Sequence, residues 1–384
     1  MNGHVKVALF PSAYAPAVGG VEELTARLAT KLVQAGDDVQ VWTIRHPASL
    51  PADELIDGID VRRLAMPLPR LDPRWLVRAP YEIRLAFREL LRVARAFRPD
   101  LVHVQCFSAN GVYATWLAKR LGVPLIVTLQ GETVMDDTDI YERSFTLRTS
   151  LRIALRRAHA VTSCSRFVLD DAEQRFGLPP GRGRVIPNGV DFEEGVPARP
   201  LVLPFKRFVF TVGRVVAKKG FDLMLDAFVN IARDNPEVGL VIGGSGRARD
   251  DLMRRAAQAG LAGRVSFPGV LSRGEVAWAM GAADVFVLPS RVEPFGIVVL
   301  EALRAGCPVV VSGRGGAVEI VRDGIDGLVV DPLLTDALSA SVDRILTDRE
   351  LAERLSASGP ARAAEFNWHS IAARYRDVYQ RVGP

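Results

Sequence analysis

The chain of 384 residues is poor in several things that would have narrowed its class at once. It has three cysteines, Cys106, Cys164 and Cys307, too few and too far apart for a disulfide framework or a metal knuckle. Their apolar neighbours make them small core residues. No apolar run reaches membrane-spanning length. The opening Met-Asn-Gly-His-Val-Lys-Val leads straight into a strand rather than a signal peptide, which implies an intracellular protein. Lysine is also scarce: the 49 basic residues include only six, at 6, 31, 119, 206, 218 and 219. No strand is followed by Gly-x-Gly-x-x-Gly, which argues against nicotinamide chemistry; Gly243-Gly-Ser-Gly246 comes nearest.

What is present suits a globular α/β protein of two near-equal domains, with 48% hydrophobic and 24% charged residues. The net charge of +5 attracts phosphates, anionic membranes or acidic substrates without choosing between them. Strand-like runs at 5–10, 39–43, 59–64, 101–105, 125–129 and 160–163 alternate with helical stretches, as right-handed parallel crossovers require. Val185-Ile-Pro-Asn-Gly-Val-Asp191 closes the first half, and the proline-rich 197–204 reads as a linker. The second half repeats the pattern from Arg207, with mainly helices after Asp331.

Candidate site residues gather at strand ends. Val285–Leu288 reads as a buried strand and Ile297–Arg304 as a helix, so Glu293-Pro294-Phe295-Gly296 forms the turn between them. A helix start offers unpaired N–H groups to an anion, and Gly296 allows close approach. Glu293 and Glu301 can accept hydrogen bonds from sugar hydroxyls on either side of a diphosphate. Pro16-Ala-Val-Gly-Gly20 is a second glycine-rich turn feeding a helix. Arg214, ending a strand, and Lys219, in the loop beyond it, are placed to clamp a diphosphate. Thr128-Leu-Gln-Gly-Glu132 ends a strand in a loop, followed by the acidic residues Asp136, Asp137 and Asp139, which suit a cationic or polyhydroxylated acceptor. A solvated loop is the alternative reading of this stretch, and the pair Asp137-Thr-Asp139, which spells a metal-type Asp-x-Asp, lacks the single-domain context of such a metal site. Arg84, Arg88, Arg92 and Arg95, at steps of four, four and three, share one helix face over 81–97, and Arg148, Arg152 and Arg156 repeat the device. Such stripes are solvated faces or docking surfaces for anionic lipid or an acidic acceptor.

Glu-Pro-Phe-Gly with a second Glu after seven residues, followed by Ala302 to Val311 and by Gly315-Gly316-Ala-Val-Glu319, resembles the signature of family 4 of the retaining glycosyltransferases (group 1). The resemblance covers nearly the whole chain. It implies the GT-B fold, two Rossmann-like doubly wound α/β domains facing each other across a cleft: an acceptor-side domain over 1–190, a nucleotide-sugar domain over 191–367, and a C-terminal helix over 368–384 packed back on the first. It implies hexosyl transfer from a nucleotide diphosphate sugar, UDP-linked by family lean, to a hydroxyl acceptor, with neither metal nor cofactor. The matching positions make Glu293, Arg214 and Lys219 catalytic. Gly19, Gly20, Gln130, Gly244, Val270, Pro294, Phe295, Gly296, Ile297 and Glu301 then bind the donor, and Glu132 and Asp136 face the acceptor. Family members usually carry His where Gln130 stands; Gln can hydrogen-bond but cannot carry charge. The expected partners are the donor and a small-molecule, glycan or lipid-linked acceptor, not nucleic acid, in the cytoplasm or at the inner face of the membrane. The alternatives are a nucleotide-sugar isomerase, which needs no acceptor, and a catalytically silent nucleotide-sugar-binding protein.

Overall fold

The computed structural model describes residues 4–17, 19–68, 73–136, 139–191 and 198–383. Val18, Asp137 and Pro197 lie outside them. The chain forms two compact units, one from the residues up to Asn188 together with those from Trp368 on, the other Gly189–Asn367.

The first unit is built on β1 (Lys6–Pro11), β2 (Asp38–Ile44), β3 (Asp53–Ile56), β4 (Ile59–Leu64), β5 (Leu101–Gln105), β6 (Leu125–Leu129), β7 (Ala160–Ser163) and β8 (Gly183–Val185). They form one sheet in the order β3-β4-β2-β1-β5-β6-β7-β8, parallel except where β3 meets β4. The central strands are buried throughout, so apolar side chains face both sides of the sheet and the polar exceptions, His103, Gln105 and Thr128, are buried with them. Phe10 meets Trp42 edge-on, with ring centroids 5.3 Å apart. The helix Trp368–Val382 packs on the helix Gly20–Gln34 of this unit, and Arg376 Nε donates to the buried Asp37 at 2.9 Å.

The second unit holds β9 (Arg207–Val212), β10 (Val238–Gly243), β11 (Val265–Gly269), β12 (Val285–Leu288), β13 (Val309–Ser312) and β14 (Leu328–Val330). Their order is β11-β10-β9-β12-β13-β14, parallel throughout. Phe210 and Phe286, on the neighbouring strands β9 and β12, pack edge-on at 5.9 Å, a contact worth about 1 kcal/mol beyond its buried area.

Two expectations need correction. The helix expected over 81–97 begins at Pro73 and runs through Pro80. Pro73 suits the first helical position, where its missing N–H costs nothing, and the lost bond at Pro80 does not stop the helix. The strands β3 and β8 were not foreseen: they are three or four residues long, at the sheet edges, and partly exposed, so they carry no apolar signal.

All three cysteines are buried. Arg84, Arg88, Arg92 and Arg95 are exposed, as are Arg152 and Arg156, while Arg148 is half-buried. Among the described residues no helix is long and apolar enough to cross a membrane.

Candidate active site

In the six-stranded sheet the chain leaves β9 towards β10 and β11 on one side, then returns to β12 and continues to β13 and β14 on the other. The loops after β9 and β12 therefore diverge, and such a switch point leaves a crevice at the carboxyl ends of the strands. The β9 loop carries Arg214 and a single 3-10 turn, Ala217–Lys219. The β12 loop carries Ser290 and Glu293 and ends at Gly296, whose φ of 99° starts the helix Ile297–Arg304 with no side chain capping it.

Across this point Lys219 Nζ donates to Glu293 Oε2 at 2.7 Å, and Ser290 Oγ donates to the same oxygen at 3.0 Å. The pair is largely withdrawn from water: the side chains retain 16% and 6% of their exposure. Desolvating two charges costs several kcal/mol, and their attraction only partly repays it, so a buried pair is weak evidence for stability and better evidence for a task.

The backbone of Glu293 is fixed as well. Its N–H donates to Arg314 O at 3.1 Å, and its carbonyl accepts from Gly316 N at 2.7 Å. Gly315 has φ 140°, and a Cβ there would lie 1.9 Å from Glu293 O, so only glycine lets the β13 loop pair with Glu293. Arg314 forks onto Asp331 at 2.7 and 3.0 Å. On the other side Arg291 forks onto Asp222 at 2.7 and 2.6 Å. Burial pushes the Asp222 carboxyl up, but the hydrogen bonds and charge of Arg291 outweigh it and hold the group below its usual range.

The remaining residues expected in this unit fall at the same strand ends with unequal prospects. Arg214 is exposed. Pro294 and Phe295 are buried, and the Phe295 ring packs on Phe366 at 6.2 Å, so only its backbone can meet a ligand. Ile297 and Glu301 are half-buried on one helix face. Val270 is 76% exposed. Gly244 has a steric reason of its own: at φ 116° its Cβ would lie 1.9 Å from Gly213 O, in the seam where the β9 and β10 loops interlock through Val215 N to Ser245 O at 2.8 Å.

In the eight-stranded unit the switch point falls between β1 and β5. Gly19 and Gly20, both exposed, follow β1 and open the helix Gly20–Gln34. A Cβ on Gly19 would meet the Glu22 carboxylate at 2.5 Å. Gln130, at the end of β6, has its amide held at both ends: Nε2 donates to Gln105 Oε1 at 3.1 Å, and Oε1 accepts from Asn188 Nδ2 at 3.0 Å. Gln105 in turn reaches His103 Nε2 at 3.3 Å, and His103 contacts Tyr379 Oη and Thr128 Oγ1, both at 2.7 Å. Burial lowers the His103 pKa to about 3, so the ring is neutral. Glu132 staples two strand ends, accepting from Phe107 N at 2.6 Å and from Gln130 N at 2.7 Å. Burial raises its pKa to about 7 against the opposing pull of those N–H groups. Asp136, half-buried, accepts from Ile140 N.

Sequence reasoning paired neither Lys219 with Glu293 nor Gln130 with Glu132, and it missed Ser290, Asp222, Arg291, Gln105, His103 and Asn188. The one available signal was Pro187-Asn-Gly, read only as a turn.

Comparison with known proteins gives the family. Residues 201–362 match the family described as Glycosyl transferases group 1, and residues 18–194 match Glycosyltransferase Family 4. A D-inositol 3-phosphate glycosyltransferase from Thermobispora bispora is 31% identical over 94% of this chain and 89% of its own. A sucrose-phosphate synthase structure from Thermosynechococcus elongatus superposes with TM-score 0.79 at 23% identity, covering 98% of each chain. The Anabaena protein HepE, solved in complex with UDP-glucose, gives 0.73 at 20% identity, covering 98% of this chain and all of that one. The chain belongs to glycosyltransferase family 4, whose members have the GT-B fold, take a sugar from a nucleotide-sugar donor and retain its anomeric configuration.

Proposed function

We propose that the diphosphate of a hexose-bearing nucleotide sugar binds at the ends of β9 and β12, with Lys219 and Arg214 on its oxygens and the helix start at Gly296 and Ile297 beneath it. Glu293 takes the hydroxyls of the sugar, Glu301 those of the ribose, and the exposed strand end at Val270 the base. Gly19, Gly20 and Gln130 are assigned to the donor, and Glu132 and Asp136 to the hydroxyl acceptor. The observation that carries this reading is the buried Lys219–Glu293 pair at 2.7 Å, a cation and a hydroxyl-binding carboxylate set side by side at a switch point.

Breaking the bond from the anomeric carbon to the diphosphate leaves positive character on the sugar and negative charge on the leaving group. Cations already aimed at that group therefore favour the transition state over the ground state. The acceptor hydroxyl attacks from the face the diphosphate leaves, and its proton passes to a phosphate oxygen. One C–O bond forms as one breaks, the nucleoside diphosphate departs, and configuration is retained. Lys219 and Arg214 supply the positive charge, so the scheme calls on no metal. Uridine is favoured as the base by the UDP-glucose complex of HepE.

The test is a panel of nucleotide sugars scored by thermal stabilisation. A true donor at 100 times its Kd should stabilise by about 2.7 kcal/mol. A donor that stabilises wild type but not Lys219→Ala supports the site, and equal stabilisation of both removes it. Conversion of the donor to an epimer without acceptor would point to an isomerase instead.

A further inference from the structure

The sequence supplies 49 basic residues, and most that can be followed lie on exposed faces; Arg291 does something else. Its N–H donates to Lys218 O at 2.9 Å, Nη1 donates to Ala217 O at 2.8 Å, and the guanidinium forks onto both oxygens of Asp222. Its three partners thus lie one and two positions before Lys219 and three positions after it. The same short turn is closed on its far side by Gly220, whose φ is 67° and whose Cβ would lie 1.9 Å from Pro289 O. Pro289 and Arg291 flank Ser290, which itself donates to Glu293.

Ala217, Lys218, Gly220 and Asp222, around Lys219, thus meet Pro289 and Arg291, on either side of the serine bonded to Glu293. A lysine stem has four rotatable bonds, and its ammonium can serve a diphosphate only if the backbone carrying it is fixed. A single 3-10 turn has too few hydrogen bonds of its own to fix that backbone.

We propose that Arg291 and Asp222 form a positioning clasp that holds the Ala217–Lys219 turn so that the Lys219 ammonium meets the diphosphate, a role that rests on the donor reading given above. Neither residue touches the substrate. A planar fork suits this task where a lysine does not, because two parallel hydrogen bonds fix direction as well as distance. The pair is about one-third exposed on the arginine side and one-quarter on the aspartate side, where an ion pair adds little to global stability. Its effect should therefore appear in ligand binding far more than in unfolding.

The experiment is calorimetric binding of UDP, ADP and GDP to the full chain, with melting temperature measured alongside. Taking the tightest of the three for wild type, Arg291→Ala and Asp222→Asn are each expected to weaken binding roughly tenfold while melting within a few degrees of wild type. Arg291→Lys should fall between them and wild type, and Asp222→Glu should recover most of the affinity. In the Lys219→Ala background, Arg291→Ala should weaken binding by less than about twofold, because the residue it acts through is gone. Wild-type affinity in both Arg291→Ala and Asp222→Asn, or the same tenfold loss with and without Lys219, overturns the clasp. Wild-type affinity in Lys219→Ala, or no binding of any of the three by wild type, overturns the donor reading beneath it.

Discussion

The two sheets end in corners of similar plan and opposite electrostatics. At the ends of β5 and β6 burial drives titratable groups towards neutrality: His103 is pushed down to about 3 and Glu132 up to about 7. Gln130 and Gln105 join them through uncharged amides. At the ends of β9 and β12 stand two paired ions, Lys219 with Glu293 and Arg291 with Asp222, and at the ends of the adjoining β13 and β14 a third, Arg314 with Asp331. Desolvation acts on both corners, so the difference lies in whether a counter-charge stands within hydrogen-bond reach. A corner of fixed ions suits a diphosphate that gains charge as its bond breaks. A corner of neutral donors and acceptors suits hydroxyls.

The contrast is broken most sharply by removing the ions. Lys219→Ala or Glu293→Gln should keep the fold, checked by circular dichroism, but lower transfer by roughly 100- to 1000-fold, measured as nucleoside diphosphate released in the presence of acceptor. Near-normal turnover in either variant would remove the charged corner from the chemistry. Next comes the seam that fixes Glu293. Gly315→Ala places a methyl 1.9 Å from Glu293 O at φ 140° and should cost about 3 kcal/mol in denaturant unfolding, whereas Gly324→Ala, with nothing within 4 Å, should cost only about 1 kcal/mol for its positive φ.

The neutral corner predicts smaller effects. His103→Phe removes the partner of Tyr379 Oη and the contact of Gln105 Nε2 and should cost about 2 kcal/mol, read by chemical unfolding. The pH dependence carries its own sign. The lowered pKa of His103 contributes stability that is present above about pH 6.5 and lost as pH falls towards 3. The raised pKa of Glu132 contributes stability that is present below about pH 4.5 and lost as pH rises through 7. Between pH 5 and 7 the two oppose each other, so Glu132→Gln should make the melting temperature rise more steeply with pH, by about 2 °C per pH unit. An unchanged slope would show that Glu132 is ionised throughout.

Sequence alone located what depends on local pattern. Val285–Leu288 and Ile297–Arg304 have the bounds expected of them, because Pro289 and Gly296 punctuate an otherwise apolar stretch. The motif residues at both switch points were legible as residue types for the same reason. Their contacts were not: Lys219 and Glu293 are 74 positions apart, and nothing in periodicity sets a distance across a sheet. Arg291 was hidden among many arginines, since a forked contact leaves no trace in composition. His103 lay within an apolar run and read as a strand residue, because a neutral buried imidazole differs from its neighbours only in its partners, which come from β6 and from the far end of the chain.

The helix Trp368–Val382 belongs to the unit the chain began, although the whole of Gly189–Asn367 is written between them. During synthesis the eight-stranded unit must therefore wait, with Tyr379 not yet on His103 and Arg376 not yet on Asp37, until the later unit has left the ribosome. Of the two units, the one whose synthesis begins earlier is completed later, and a chain that stalls within the helix Trp368–Val382 would release a finished second unit and an open first one.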